Sequence, residues 1–107
     1  MILREAAARA VFSSAKMEKL TLGSGAHLYA GLNCFEAGQE HKAHVHADQD
    51  KLYVVLSGVG IASVGDETGE VCTGDLILAA AGVPHGMRNP GPDRLVVLIV
   101  FSPPPVK

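Results

Sequence analysis

The sequence has no tryptophan and, in 107 residues, only two cysteines, two tyrosines and three phenylalanines. Cys34 and Cys72 stand far apart, each in an apolar run where a free thiol behaves as a small buried hydrophobe, so a disulfide framework is not needed. Met1 to Arg9 holds no apolar stretch long enough for a secretion signal, which points to the cytoplasm, where disulfides are rare. Nor does any apolar run approach the roughly 20 residues of a membrane span. Net charge is only −2, and no segment carries a basic cluster, which excludes a nucleic-acid or anionic-membrane surface as partner. Small organic ligands, including weak anions at a metal, remain.

What the chain does have is apolar content, 48% of its residues, carried mainly by valine, leucine, isoleucine and alanine. That supports one domain with its own core, and the length leaves no room for a second. Met17 to Leu22, Ala26 to Phe35, His41 to His46, Leu52 to Leu56, Gly60 to Val64, Glu70 to Thr73, Leu76 to Ala80 and Arg94 to Phe101 read as strands. Short strands about ten residues apart, with turn residues between them, predict an all-β sandwich or barrel. In the second run Leu28, Ala30, Leu32 and Cys34 share one face, and Tyr29, Asn33 and Phe35 share the other. Asp66 to Gly69 reads as a turn, and Met87 to Asp93 as a loop, because Pro90 and Pro92 deny ladder donors. Arg94 to Phe101 is nearly all apolar, fit to be buried on both faces or to lie in a dimer seam. Leu3 to Ala10 reads either as a helix of at most two turns or as an arm against a partner subunit.

The chemistry-bearing residues cluster in two stretches. His44 and His46 sit two apart, so on a strand both imidazoles leave the backbone on the same side. His85 follows a later strand and, if the two segments pair across a barrel, completes a set of three nitrogens. Neutral imidazoles suit divalent iron, zinc, nickel or manganese, and three ligands leave coordination positions open to water or substrate. Isolated histidines on strands are usually plain surface or core residues, so His27 and His41 receive no role. His41, three residues before His44, is the better placed to flank the site.

The spacing Gly38, five residues, His44-x-His46 and a strand closed by Gly58, then Gly74-Asp75, a strand, Gly82-x-Pro-His85 and Asn89, resembles the two signature motifs of the cupin superfamily. The resemblance implies a double-stranded β-helix, the cupin jelly-roll barrel, as a single domain over residues 1–107, with the barrel core at about 26–102 behind an N-terminal arm. It implies metal binding by His44, His46 and His85, a small-molecule ligand or substrate, and a homodimer paired through edge strands. Function is less constrained, because cupins include dioxygenases, isomerases, lyases and proteins that only bind.

This chain departs from the pattern where the family usually carries a glutamate as fourth ligand, seven residues before the closing glycine: here that position is Lys51. Three readings of Lys51 stay open: pointing to solvent through a bulge, which leads; weakening the metal by its charge; or serving as an acid or base. Asp50 is the competing oxygen ligand, although a one-residue step along a strand turns it to the opposite face. Asn89 reads as a loop former, and Arg88 as a loop arginine that could meet a substrate carboxylate. Tyr29, Tyr53, Phe35 and Met87 are candidates to line the cavity.

Overall fold

A computed structural model describes residues 1–105. Its β-prone runs form nine strands among the described residues: β1 Glu18–Ser24, β2 Tyr29–Phe35, β3 Glu40–His44, β4 Asp50–Ser57, β5 Val59–Val64, β6 Glu67–Cys72, β7 Leu76–Ala79, β8 His85–Arg88 and β9 Leu95–Ser102. All pairings are antiparallel, in a five-stranded sheet ordered β1-β2-β9-β4-β7 and a four-stranded sheet ordered β3-β8-β5-β6. Among the described residues no helix is long and apolar enough to cross a membrane.

The inner faces are written in alternation. Along β4, Lys51, Tyr53 and Val55 are buried while Leu52, Val54 and Leu56 face outward, partly covered. Register carries this across the sheet, aligning Tyr29, Phe101 and Lys51 in one row and Gly31, Ile99 and Tyr53 in the next. The core between the sheets gathers Phe35, Tyr53, Val55, Ile77, Leu95, Val97 and Ile99 from one side with Ala62 and Met87 from the other. Each fully buried valine, leucine, isoleucine, phenylalanine or methionine among them contributes about 1.5–3 kcal/mol. In β2 the alternation is as the sequence predicts: Leu32 and Cys34 pack in an outer cluster, and Phe35 faces the core.

Several expectations change. Met87 and Arg88 belong to β8, not to a loop. The glycine inside β8 disguises it, yet glycine is required there, since a Cβ at Gly86 would lie 2.8 Å from the Ala43 backbone nitrogen of β3. The β5–β6 turn is Gly65-Asp66, with Gly65 at a φ of 56°, so Glu67 to Gly69 already belong to a strand. β9 is the central strand of its sheet, paired on both sides, so its apolar run is no unpaired edge and gives no argument for a dimer. The sheet begins at Glu18, within the run read as the first strand. The N-terminal segment makes a single 3-10 turn, Ala6–Arg9, with no side-chain cap. Ala7, Ala10 and Phe12 pack on Leu32, Cys34 and Val96 of the same chain, rather than reaching away from it. Cys34 is buried and Cys72 exposed, and both are free thiols.

Candidate metal centre

The site lies at one end of the space between the sheets, where β3 ends and β8 begins. His44 on β3 pairs directly with His85 on β8, and His46 follows in the extended segment beyond β3. The loop before His85 is tied to the segment carrying His46, because Gly82 N–H donates to the His46 carbonyl at 2.9 Å. The ligand atoms of His44, His46 and His85 all lie within 4.8 Å of one another. Ring centroids are 4.4 Å apart for His44 and His85 and 4.7 Å for His44 and His46.

Hydrogen bonds settle the tautomers of two rings. His44 Nδ1 lies 2.8 Å from the Lys42 carbonyl and His85 Nδ1 lies 2.9 Å from the Val83 carbonyl, and a carbonyl only accepts, so both Nδ1 atoms carry the proton. Each Nε2 is then a bare lone pair. Both Nε2 atoms are buried and have no hydrogen-bond partner. Burial pushes all three imidazoles below their ordinary range, with the nearby charge of Lys51 adding to it, so they are neutral and ready to ligate. A backbone carbonyl holding Nδ1–H while Nε2 faces inward is the outer support that metal-bound histidines use.

Asp50 does not join the three histidines. It is exposed on the opposite face of β4, and its Oδ1 accepts the Ala81 N–H at 2.8 Å, which braces the same loop that Gly82 anchors. The register runs without a break from Asp50 to Val55, as the pleat argument expected, and the irregularity in β4 comes later, between Val55 and Ser57. The same regularity overturns the solvent-facing reading of Lys51. With no bulge to turn it outward, Lys51 points inward in phase with Tyr53 and Val55 and is only 1% exposed. Its Nζ lies 4.5 Å from the Tyr53 ring centroid and 4.9 Å from that of Phe101. Burial, with a smaller contribution from Lys19, brings its pKa down to about 7.

His41 also joins the cavity. Between the His41–Met87 and His44–His85 pairs, β3 uses three steps and β8 only two. That extra residue puts two histidines of odd spacing on one face, which an unbroken strand cannot do. Their rings are 4.3 Å apart, and burial, then Lys51, holds His41 down to about 3. Of the proposed lining residues, Tyr29 faces the cavity, whereas Tyr53, Phe35 and Met87 belong to the core. His27 stays exposed, as does Arg88. Asn89 holds its loop as expected, with Nδ2 donating to the carbonyls of Phe35 and Asp93 and Oδ1 accepting Gly91 N–H. The closing Gly58 has a φ of 94°, and any Cβ there would collide with the Arg94 carbonyl.

A family model described as the cupin domain matches residues 31–101. The chain belongs to the cupin family. Among proteins similar to this cupin, the uncharacterized protein SCO3923 of Streptomyces coelicolor is 40% identical over 78 residues, spanning 73% of this chain and 72% of that one. The crystal structure of TT1209 from Thermus thermophilus matches with a TM-score of 0.92 at 31% identity, covering 98% of this chain and 100% of that chain. An RmlC-like cupin protein from Desulfovibrio desulfuricans matches at 0.86 with 24% identity over 98% and 99% of the two chains, a likeness of fold alone. In this cupin the donor set fits a divalent transition metal: two orphaned, neutral Nε2 atoms and a third imidazole converge.

Proposed function

We propose that this cupin holds a divalent transition metal on His44, His46 and His85 and uses it on a small organic molecule admitted to the adjoining cavity. The observation that carries this reading is the pair of buried Nε2 atoms without partners, each fixed in its tautomer by a backbone carbonyl. Leaving such acceptors unmet costs about 1–3 kcal/mol each, a penalty that ligation removes. The cavity of about 610 Å3 beside them, with Tyr29, Ile99 and Phe101 as its apolar wall, has room for a small substrate. Three-histidine dioxygenase chemistry is favoured over isomerase or lyase chemistry, since no side-chain carboxylate joins the set. Iron in this place would supply oxygen activation, and zinc, nickel or manganese Lewis acidity. The chain's own part is to fix the imidazoles, keep His41 neutral at the cavity wall and exclude bulk water with Tyr53 and Phe101. A non-catalytic barrel that binds metal or ligand would share this geometry and differ in showing no turnover. The reading includes a homodimer, supported by Leu76 and Leu78, about 60% exposed on edge strand β7 beside the outward side chains of β4.

The test is elemental analysis of untagged protein purified without chelator, together with His44→Ala and His85→Ala. Near-stoichiometric metal in the parent, falling at least about tenfold in both variants, is the expected outcome. Iron would lead to oxygen uptake with small chelating substrates, and light scattering on the same preparation should give twice the chain mass. No metal in the parent after incubation with each ion in turn would overturn the metal reading.

A further inference from the structure

The wall of the cavity opposite the histidines carries two polar groups that the metal reading leaves idle. Lys51 is 1% exposed, and among the described residues it forms no ion pair, the Arg94–Glu36 bridge being elsewhere. Its ammonium is flanked by two aromatic rings, which soften the desolvation of a cation without neutralising it. Asn33, also 1% exposed, lines the same cavity from β2, and neither its Nδ2 nor its Oδ1 has a partner. Buried polar groups in folded proteins are nearly always met, so an unmet amide beside a lysine that has no ion-pair partner among the described residues marks a place for a guest.

The charge of the lining says what guest. Lys19, Lys51, His41, His44 and His46 face the cavity, and among the described residues no carboxylate does. A cationic guest would meet two lysines and nothing to balance it. An anion would give Lys51 the opposite charge that none of the other described residues supplies, in a low-dielectric setting where a charge-assisted hydrogen bond is strong. Of the remaining wall, Tyr29, Ile99, Phe101 and Pro105 are mainly apolar, Gln49 is tied through its Nε2 to the Pro103 carbonyl at 3.0 Å, and Tyr29 is held in place by a 2.8 Å hydrogen bond between its hydroxyl and Thr21 Oγ1. A guest that satisfies all three surfaces has an anionic head, a neutral polar group and an apolar body.

We infer that the cavity takes a small hydroxy- or oxo-carboxylate with an apolar body of about aryl size, its carboxylate on Lys51 Nζ and its neutral oxygen facing the Asn33 amide. This rests on the same mouth being a small-molecule site, and it does not require the metal to be loaded. Lys51, at the position where the family resemblance implies a glutamate, is thereby the group that selects the substrate.

The test uses the full chain stripped of metal by chelator, with binding followed by ligand-observed NMR and calorimetry. The probes are mandelate, its uncharged amide mandelamide, and phenylacetate, which lacks the hydroxyl. Mandelate is expected to bind the parent at least about tenfold more tightly than mandelamide and a few-fold more tightly than phenylacetate. Lys51→Met, which keeps length and burial, is expected to abolish the preference for mandelate over mandelamide. Equal binding of mandelate and mandelamide by the parent would overturn the inference, whether or not the variant folds. So would mandelate binding that appears only after metal is restored and is unchanged in Lys51→Met, since the carboxylate would then be going to the ion. If the parent takes up no metal yet shows the carboxylate preference, the metal reading fails and the anion site stands.

Discussion

Asn33 and Asn89 are both 1% exposed, both belong to the cupin core, and their surroundings are opposite. Asn89 sits at the closed end, where its amide meets the Phe35 and Asp93 carbonyls and its oxygen takes Gly91 N–H. Asn33 sits at the open end, where among the described residues neither amide atom meets a partner, and the same end gathers the two orphaned Nε2 atoms and a lysine without an ion pair to any described residue. The closed end is finished as structure. The open end is built at a cost to stability, and proteins accept such costs at sites that bind or react.

The sharpest way to break this contrast is at the closed end. Asn89→Leu removes three hydrogen bonds and leaves two carbonyls and an N–H unmet, at roughly 1 kcal/mol apiece, so a loss of about 3 kcal/mol is expected in urea unfolding. A loss under about 1 kcal/mol would mean that Asn89 is no more structural than Asn33. At the open end the sign reverses. Lys51→Met is expected to raise stability by about 2 kcal/mol, because an apolar chain of similar volume replaces a buried charge that lacks an ion-pair partner.

The pH dependence of that gain checks its cause. With Lys51 at about 7 in the folded chain against 10.5 as its ordinary value, folded and unfolded chains are both protonated below pH 7, and the penalty is then full. Between those values the unfolded chain holds the extra proton, so the parent gains stability as pH rises and the advantage of Lys51→Met fades. A gain that persists unchanged at pH 10.5 would assign it to packing rather than to charge.

The two ends also differ in how far the sequence reveals them. The glycine and histidine spacing gives the cupin motifs, and alternation in β2 separates Phe35 from Leu32, although only the packing shows that Phe35 faces the core and Leu32 the outer cluster. Parity with Tyr53 and Val55 puts Lys51 inward, a signal present in the chain but outweighed by the expectation that a lysine seeks water. His41 is different in kind, since its direction depends on an extra residue in β3 that only the pairing with β8 reveals. The strand β8 is hidden because Gly86 is chosen for the approach of the Ala43 backbone, a contact 43 residues away in sequence. The central place of β9 is likewise a matter of distant pairing, which local composition does not encode.

The smallest effect expected concerns the histidines in acid. In the metal-free chain burial holds His41 down to about 3 and lowers His44, His46 and His85 as well. Unfolding frees them to take protons at their ordinary value of 6.5, so below that pH the unfolded chain binds more protons and stability falls as pH falls. For His41 alone, discounted for partial exposure, the loss between pH 7 and pH 5 is about 1 kcal/mol. Metal sharpens the slope, because an ion bound to neutral imidazoles stabilises only the folded chain and protons compete with it. Thermal unfolding at pH 7 and pH 5, with and without chelator, separates the two contributions. A metal-free chain equally stable at both values would show that the four rings protonate in place, in a mouth wetter than the burial of their nitrogens implies.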